Sequence, residues 1–258
     1  MLRADHLHVS LGGHPILRDV SVAIAPAQIT GILGPNGSGK TTLLKTLGGM
    51  LTPSRGDVSL DDAPLARQGR AALAQRLAVV PQETLVTLDY TALEVVLMGR
   101  YPHLGAFEFE GAGDMACAEA ALAATGTASF ATRAFNTLSG GEKQRVMIAS
   151  ALAQLDEGGA ARPATARVLL LDEPTAALDL KYQLELGALL QRLHARGNIT
   201  IVLTTHDLAF ARRVCTDLVL LAQGQVLAQG PPADVLTATT IAALYGIEEA
   251  QARAFAHA

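Results

Sequence analysis

The chain has 258 residues, of which 50% are hydrophobic and 17% charged, and its formal net charge is −4. A chain of this length buries a sizeable core, so we expect an ordered globular protein. Its apolar residues never approach the roughly 18 to 20 in a row that a membrane span needs, so no span is predicted. The small negative charge argues against a protein that neutralises many nucleic-acid phosphates, and we expect no nucleic-acid partner.

Cysteine spacing and the first residues bear on the cellular compartment. Cys117 and Cys215 lie far apart without a CxxC pattern, which predicts neither a disulfide framework nor a zinc site. Residues 1–5 carry charges at Arg3 and Asp5, and the apolar segment of a secretory signal does not follow them. We therefore expect a protein that stays in the cytoplasm.

The first predicted elements are strands. Short apolar stretches alternate with polar residues over 2–22 and are interrupted by Gly-Gly-His-Pro at 12–15, which predicts an antiparallel β region with a turn. The compact apolar run at 29–33 predicts a buried strand that leads into a glycine loop, after which leucines recur at helical spacing. Residues 58–60 and 77–80 are predicted to be further short strands.

The middle of the chain, residues 83–137, is rich in alanine and predicts helices separated by turns, which indicates an inserted helical subdomain. Helices and apolar strands then alternate: predicted helices follow Gly141 and span 182–193, and predicted strands span 168–171 and 199–203. Such alternation indicates a parallel sheet covered on both faces. The predicted fold class is therefore α/β, a mainly parallel sheet flanked by helices, with an N-terminal antiparallel β region and an inserted α-helical subdomain.

A glycine-rich loop joins the strand at 29–33 to the following helix. Its glycines let the backbone wrap a phosphate, while amides and the helix N-terminus supply a positive field. Lys40 is the candidate partner of the β- and γ-phosphates, and the Thr41 hydroxyl is the candidate Mg²⁺ ligand. A plain glycine turn is the alternative, but strand, loop, lysine and hydroxyl in register favour a phosphate loop. The candidate nucleotide-binding residues are Gly34, Pro35, Asn36, Gly37, Ser38, Gly39, Lys40, Thr41 and Thr42.

Two carboxylates follow the apolar run at 168–171. Asp172 is the second candidate Mg²⁺ ligand, because a hard ion bound to phosphates takes carboxylate and water oxygens. Glu173 is the candidate general base, since successive residues at a strand end point in opposite directions. Asp-Glu-Pro alone is equally typical of an ordinary turn. Beside a phosphate loop, however, the pair indicates a nucleotide hydrolase.

A third segment opens the helix that follows residue 138. It consists of Leu138, Ser139, Gly140, Gly141 and Glu142. A serine hydroxyl and exposed glycine amides at a helix start suit a γ-phosphate. A capping box, with Ser139 as N-cap and Glu142 three residues on, is the alternative explanation, and the two are compatible.

Together these segments resemble the ATP-binding-cassette (ABC) family over nearly the whole chain. The matching motifs are Walker A at 34–41, the Q-loop glutamine Gln82, the signature at 138–142, Walker B at 168–173, the D-loop at 177–179 and the switch histidine His206. The resemblance implies a RecA-like core formed by 1–82 and 138–258, with 83–137 as the helical insert. It also implies ATP and Mg²⁺ bound between Walker A of one copy and the signature of a second, head-to-tail copy. Asp179 is equally explained as a helix N-cap.

The resemblance implies roles for single residues. Glu173 would polarise the attacking water, His206 would contact the γ-phosphate, and Gln82 would contact Mg²⁺ and water and link to the helical insert. The family usually places an aromatic side chain against adenine where this chain has Leu11. Stacking by His14 and simple apolar contact remain alternatives for holding the base.

Residues 94–103, which end in Gly-Arg-Tyr-Pro-His, resemble a stretch typical of ATPases that serve importers of iron chelates, cobalamin and heme. The polar insertion at 156–165 is similar to one that heme-importing members carry. The resemblance implies a homodimer beneath two transmembrane permease subunits, a periplasmic substrate-binding protein, and a place on the cytoplasmic face of the inner membrane. Heme is the first choice of substrate and a ferric siderophore or cobalamin the second, while generic helix packing remains the alternative for 94–103.

Two other protein classes fit the motifs less well. A cassette protein acting on DNA or the ribosome would need a long coiled coil between the motifs or a second cassette, and neither occurs in these 258 residues. A phosphate-loop kinase would lack the 138–142 segment and would need an acceptor pocket, for which there is no candidate motif. Neighbouring genes for a polytopic membrane protein and a secreted binding protein would favour the importer.

Overall fold

The computed structural model describes residues 1–82, 88–156, 166–176 and 178–256. The strands are β1 (Leu2–Leu11), β2 (His14–Ile24), β3 (Ile29–Leu33), β4 (Arg55–Leu60), β5 (Ala63–Pro64), β6 (Leu77–Val80), β7 (Val168–Leu171), β8 (Thr200–Thr205), β9 (Asp217–Ala222) and β10 (Gln225–Gly230). The α-helices are α1 (Lys40–Leu47), α2 (Arg70–Ala74), α3 (Ala92–Leu97), α4 (Ala112–Ala124), α5 (Gly140–Leu155), α6 (Leu180–Ala195), α7 (Leu208–Val214), α8 (Pro232–Val235), α9 (Ala238–Tyr245) and α10 (Glu249–Ala256). A 3-10 helix (Met98–His103) continues α3.

Among the described residues, six strands form the central sheet, in the order β10, β9, β3, β8, β7, β6. Neighbours from β9 to β6 pair in parallel, and β10 pairs with β9 antiparallel. Every residue of β3, β7 and β8 is buried, as expected for mainly apolar strands in a sheet that is covered on both faces. The carboxyl ends of these three strands lie side by side, at the edge where open parallel sheets bind ligands. The predicted α/β class is confirmed.

A second sheet has the order β2, β1, β4, β5 and confirms the predicted antiparallel region. Leu11 pairs with His14 across the hairpin turn, where Gly12 (φ 55°) and Gly13 (φ 81°) adopt the left-handed backbone of a tight turn. The leucines of α1 pack between this sheet and one face of the central sheet. This packing holds the start of α1 at the carboxyl end of β3.

The other face of the central sheet is covered by α5, α6, α7 and the C-terminal helices. Their apolar side chains form one cluster with the strands, and the fully buried members include Ile148, Leu190, Phe210 and Ile241. The buried leucines of α6 lie on one helix face, at the three- and four-residue spacing from which the helix was predicted. The elements after residue 216, namely β9, β10 and α8 to α10, complete the sheet and this layer.

The described part of the predicted helical insert, 88–137, contains α3, the 3-10 helix and α4. α3 and α4 share a buried cluster with one face of α5, through Val146 and Ala149, while Ile148 and Leu155 of α5 belong to the central-sheet cluster. Because α5 packs in both clusters, it connects the helical layer to the sheet, and the division of the chain at 83 and 137 stays a prediction. No helix in the described ranges is both long and apolar enough to cross a membrane.

Candidate nucleotide-binding site

The predicted phosphate loop, 34–39, lies between β3 and α1. Gly37 (φ 78°) and Gly39 (φ 104°) adopt a left-handed backbone that other residues rarely adopt. Gly34 packs so closely on the carbonyl oxygen of Leu221 that a Cβ would overlap it. Gly39 is also the N-cap of α1 and brings no side chain to the N–H groups of the first helical turn. The loop therefore presents these N–H groups to an anion at a helix N-terminus.

Lys40 begins α1, and its side chain folds back over the loop. The Nζ atom donates to the carbonyl oxygens of Gly34 (3.0 Å) and Pro35 (3.1 Å) and lies 3.4 Å from Oε1 of Glu173. Only 4% of Lys40 is exposed. A buried ammonium must be compensated by nearby oxygens, and here two carbonyls and one carboxylate supply them. Phosphate oxygens can take the place of these partners without leaving the charge unpaired.

Asp172 follows β7 and is buried beside the loop. Its Oδ1 accepts hydrogen bonds from the hydroxyls of Thr41 (3.0 Å) and Thr204 (2.8 Å), and its backbone N donates to Val80 O (3.0 Å). The structure thus brings together Thr41 and Asp172, two of the three residues that were predicted to contact Mg²⁺, while the third, Gln82, lines the adjacent cavity. Thr204 was not singled out from the sequence, although a hydroxyl near the end of an apolar strand was a usable signal.

Glu173 differs from Asp172 in backbone and in partners. It adopts a left-handed backbone (φ 41°), and its N–H donates to the Thr204 hydroxyl at 2.7 Å. Its two carboxylate oxygens lie near different groups, Oε1 near Lys40 and Oε2 at 3.6 Å from Nδ1 of His206. The two carboxylates therefore face different neighbours, as the strand-end argument predicts. A non-glycine residue in this backbone region is strained, and such strain is concentrated at functional sites.

A cavity of about 460 Å³ opens over these groups. Its lining residues are Ile16, Asn36, Gly37, Gly39, Lys40, Thr41, Thr42, Gln82 and Glu173. Ile16, on β2, was not singled out from the sequence and provides an apolar wall. Leu11 is 45% exposed and faces His14 at the hairpin turn, before the part of β2 that lines the cavity. Ile16 is therefore the apolar side chain that lines this cavity, and how the base is held stays a prediction.

The signature segment is the N-terminus of α5. Ser139 is the N-cap: its hydroxyl accepts from Glu142 N, and its own N–H donates to Glu142 Oε2 at 2.8 Å. The predicted capping box is therefore confirmed. The hydrogen bond from the Ser139 N–H, with help from Arg133 and Arg145, lowers the pKa of Glu142 below its ordinary value. Leu138, just before the cap, is buried in the helical cluster, while Gly140 is exposed.

Contacts between α5 and α6 hold the signature in place. A Cβ on Gly141 would lie 2.6 Å from Cδ1 of the Tyr182 ring, so the ring requires a glycine at this position. Nearby, the Arg145 guanidinium lies 3.4 Å from Oε2 of Glu185. Asp179 is the N-cap of α6, where its Oδ1 accepts from Tyr182 N at 3.1 Å. Ala177, the first residue of the predicted D-loop, lies outside the described residues.

Gln82 connects the phosphate-loop cavity to a second cleft. This cleft, of about 210 Å³, is lined by Gln82, Gly140, Lys143, Gln144, Met147, Ala176 and Leu178. Gln82 therefore contributes to the walls of both spaces. Its position between the loop and the signature helix is consistent with the linking role that the resemblance implies.

The Gly-Arg-Tyr-Pro-His segment forms hydrogen bonds with the C-terminal end of α5. The Arg100 guanidinium donates to the carbonyl oxygens of Ala153 (2.6 Å) and Asp156 (2.5 Å) and to Oδ1 of Asp114 (2.9 Å). His103 Nε2 shares a hydrogen bond with the Gln154 carbonyl at 2.7 Å. A cation at a helix C-terminus satisfies its last carbonyls. The rest of the predicted insertion, residues 157–165, lies outside the described residues.

A loop of glycines and lysine between β3 and α1, next to a carboxylate pair at the end of β7, defines the class of phosphate-loop nucleotide hydrolases. The family model described as ABC transporter matches residues 17–176. This range includes more than half of the 258 residues, and the chain belongs to the ABC transporter family. It is an ATP-binding and ATP-hydrolysing chain of that family, as predicted.

Similar curated proteins are import ATPases. The hemin import ATP-binding protein HmuV of Burkholderia pseudomallei (strain 1710b) is 44% identical over 255 residues, covering 95% of this chain and 93% of the relative. HmuV of Bordetella pertussis (strain Tohama I) is 42% identical, covering 96% and 92%. The cobalamin import ATP-binding protein BtuD of Halobacterium salinarum (strain R1) is 41% identical, covering 93% of this chain and 57% of the relative.

Solved structures agree with the fold. A metal-chelate type ABC transporter in an inward-facing conformation is 29% identical, with a TM-score of 0.80 and coverage of 94% of this chain and 87% of that chain. A dimeric bacterial ABC transporter cassette is also 29% identical, with a TM-score of 0.74 and coverage of 90% and 99%. The same cassette has been solved bound to ADP and phosphate. The predicted phosphate-loop core with an antiparallel β region is thereby confirmed.

Proposed function

We propose that this chain is the ATPase subunit of an importer that takes up heme (hemin) across the bacterial inner membrane. The observation that carries the substrate is the identity of 44% and 42% to two proteins named for hemin import, over nearly the whole chain. The similarity of residues 94–103 and 156–165 to segments of iron-chelate and heme importer ATPases points the same way. Hydrolysis of ATP would drive alternating access in the permease.

A cobalamin or ferric-siderophore importer is the second candidate. It is favoured by the 41% identity to a cobalamin import ATPase and by the likeness to a metal-chelate type transporter. The imported molecule would contact the permease and the binding protein and not this subunit. The ATP chemistry proposed here is therefore the same for all three substrates.

In the proposed reaction, ATP phosphates bind over the phosphate loop. The first-turn N–H groups of α1 would hold the β-phosphate, and Lys40 would reach the β- and γ-phosphates. The ammonium of Lys40 lies 3.4 Å from Glu173 Oε1. Transfer of this ammonium to phosphate oxygens would release Glu173 from its ion pair. Nucleotide binding would thus free the carboxylate that the next step needs.

Mg²⁺ is the proposed metal of the site. The Thr41 hydroxyl and the Asp172 carboxylate are hard oxygen donors that meet at 3.0 Å beside the cavity, and Gln82 lines the same cavity. Mg²⁺ takes one or two protein oxygens with phosphates and water, so this small donor set fits it. When bound, the ion would supply neutralisation of the phosphate charge.

Glu173 is the proposed general base and His206 its neighbour at the γ-phosphate. Glu173 would accept a proton from the attacking water, a role that needs a carboxylate within hydrogen-bond reach of that water. His206, with Nδ1 at 3.6 Å from Glu173 Oε2, would donate to a γ-phosphate oxygen as negative charge develops there. Thr204 would orient Glu173 through the hydrogen bond to its backbone N–H.

The second half of each site is proposed to come from another copy of this chain. The α5 N-terminus with Ser139 and Gly140 would contact the γ-phosphate bound to the partner, and Asp179 would lie at the contact between copies. A dimeric cassette with 29% identity supports this arrangement. Two permease subunits and, through them, a periplasmic binding protein would complete the importer. The chain would lie at the cytoplasmic face of the inner membrane.

Transport into vesicles tests the proposal. The chain would be assembled with its permease in proteoliposomes, and ATP-dependent uptake of heme would be followed by absorbance, with cobalamin and a ferric siderophore as parallel substrates. We expect heme uptake that is lost in the Glu173→Gln complex. Uptake of cobalamin or siderophore without heme would replace the proposed substrate with the second candidate.

A further inference from the structure

The C-terminal helices contact both ends of one short segment. We define the switch segment as residues 205–214, which contain the end of β8, His206 and α7. At its start, the Tyr245 hydroxyl of α9 donates to the backbone carbonyl of His206 at 3.2 Å. At its far end, Arg212 of α7 donates to the carbonyls of Phe255 (3.1 Å) and Ala256 (2.9 Å), at the end of α10. The helix pair therefore braces the segment that carries the candidate γ-phosphate contact.

Tyr245 is itself held firmly. It is the last residue of α9, which ends at Gly246 in the left-handed conformation (φ 66°), and its ring packs against the central-sheet cluster. Burial, with a smaller effect of the Asp207 charge, raises the pKa of Tyr245 above its ordinary value. The hydroxyl therefore stays protonated and keeps its hydrogen to donate.

The backbone around His206 is held on both sides. The Thr205 hydroxyl accepts from Asp207 N at 3.0 Å, and the Asp207 side chain caps α7 by accepting from Phe210 N at 2.9 Å. The peptide that joins His206 to Asp207 is therefore held at its N–H by the Thr205 hydroxyl and at its carbonyl oxygen by Tyr245. The imidazole is more than half exposed, so its direction depends on its backbone more than on surrounding side chains.

We propose that Tyr245 is a positioning residue for ATP hydrolysis, holding the His206 carbonyl so that the imidazole stays near Glu173 and the γ-phosphate. This inference rests on the proposed function, in which His206 contacts that phosphate. Without the Tyr245 hydroxyl, the 206–207 peptide is held only at its N–H, so its carbonyl end is less restrained and the imidazole spends less time in the productive position. ATP binding is unaffected, because the phosphate loop makes no use of Tyr245.

The test uses the Tyr245→Phe variant, which removes one oxygen atom, in the full chain assembled with its permease. We expect kcat for ATP hydrolysis to fall about threefold to tenfold, the size of one hydrogen bond, with KM for ATP unchanged and the thermal unfolding midpoint lowered by no more than about 2 to 4 °C. The control is Thr237→Ala, which removes the N-cap of the same helix without touching His206. It should lower the unfolding midpoint and leave kcat unchanged.

A double-mutant cycle decides whether Tyr245 acts through His206. In a His206→Ala background, Tyr245→Phe should cause no further loss of kcat. Wild-type kcat in Tyr245→Phe, or an equal loss in both backgrounds, overturns the inference. The single variant His206→Ala reports separately on the proposed function. Wild-type turnover there contradicts the role of His206, whereas a slow His206→Ala beside a fully active Tyr245→Phe overturns only the role of Tyr245.

Discussion

The start of α1 and the start of α5 are both helix N-termini suited to an anion, but their first turns are completed differently. At α1 the N-cap is Gly39, which brings no side chain, and Lys40 lies over the loop. At α5 the N-cap is Ser139, and a capping box pairs the N–H groups of Ser139 and Glu142 with side-chain oxygens, which α1 lacks. The N-terminus of α1 therefore leaves its N–H groups free for a phosphate, whereas the N-terminus of α5 is stabilised by its own side chains.

The surroundings of the two termini differ as well. Around α1 the ends of β7 and β8 bring Asp172, Glu173 and His206 together with Lys40. Around α5 the described neighbours are Tyr182 and two ion pairs that fix the helix. One chain is thus proposed to carry a catalytic half and a separate γ-phosphate-binding half. The difference explains why a second copy is proposed to complete each site.

The largest expected effect is a loss of ATP hydrolysis without a loss of ATP binding at α1. Glu173→Gln should lower ATP turnover of the assembled complex by about 10² to 10⁴, because the general base is lost. Nucleotide affinity should be retained, because the phosphate loop and Lys40 are unchanged. The ATP-bound dimer should accumulate. Turnover by phosphate release and affinity by calorimetry are the measurements. Near wild-type turnover would remove Glu173 from its proposed role.

Lys40→Ala tests the phosphate loop and the ammonium that lies over it. The change removes the ammonium that lies over the loop, so ATP affinity should fall about tenfold or more, the scale of one charge-assisted hydrogen bond. Calorimetry with MgATP measures it. Lys45→Ala, on the same helix but outside the cavity lining, is the matched control and should bind ATP normally. Equal affinity in the two variants would argue against the phosphate-loop assignment.

Gly141→Ala tests the signature segment at the N-terminus of α5 and leaves the phosphate loop unchanged. The new methyl group would lie 2.6 Å from the Tyr182 ring, so the ring or the helix start must shift. We expect turnover to fall several-fold to about tenfold while ATP affinity of the single chain is unchanged. A second change, Tyr182→Ala, makes room for the methyl group and should restore part of the loss. Turnover that stays low in the double variant would show that the glycine itself, and not the clash, is required.

The smallest expected effect concerns the capping box at α5. The pKa of Glu142 is lowered from its ordinary value of 4.5, chiefly by the Ser139 N–H, so its carboxylate stabilises the folded chain above pH 4.5. This stabilisation is lost as pH falls through the lowered pKa. Glu142→Gln keeps a hydrogen-bonding side chain but not the charge. It should lower the unfolding midpoint slightly near pH 7, and the difference from wild type should vanish in acid. A constant difference at all pH values would contradict this account.

Much of the fold follows from local patterns in the sequence. The strand at 168–171 is an uninterrupted apolar run and that at 29–33 is mainly apolar, a pattern typical of a sheet covered on both faces. The phosphate loop is equally local, because its glycines, lysine and threonines are consecutive. By contrast, Thr204 and Ile16 were missed, since a single hydroxyl or isoleucine carries no pattern until neighbouring strands place it beside the site. The elements after residue 216 were missed for a different reason, because no chemical motif drew attention to them.

The sequence by itself determined the family, the loop that holds phosphate and the pair of carboxylates, because each depends on residue types at fixed short spacings. Tertiary structure alone decided which groups meet. Asp172 meets Thr41 through the parallel register of β3, β8 and β7, and Tyr245 meets His206 across 39 positions of the chain. The physical reason is that hydrogen-bond partners distant in sequence are selected by packing of strands and helices. The spacing of residues along the chain does not predict such packing.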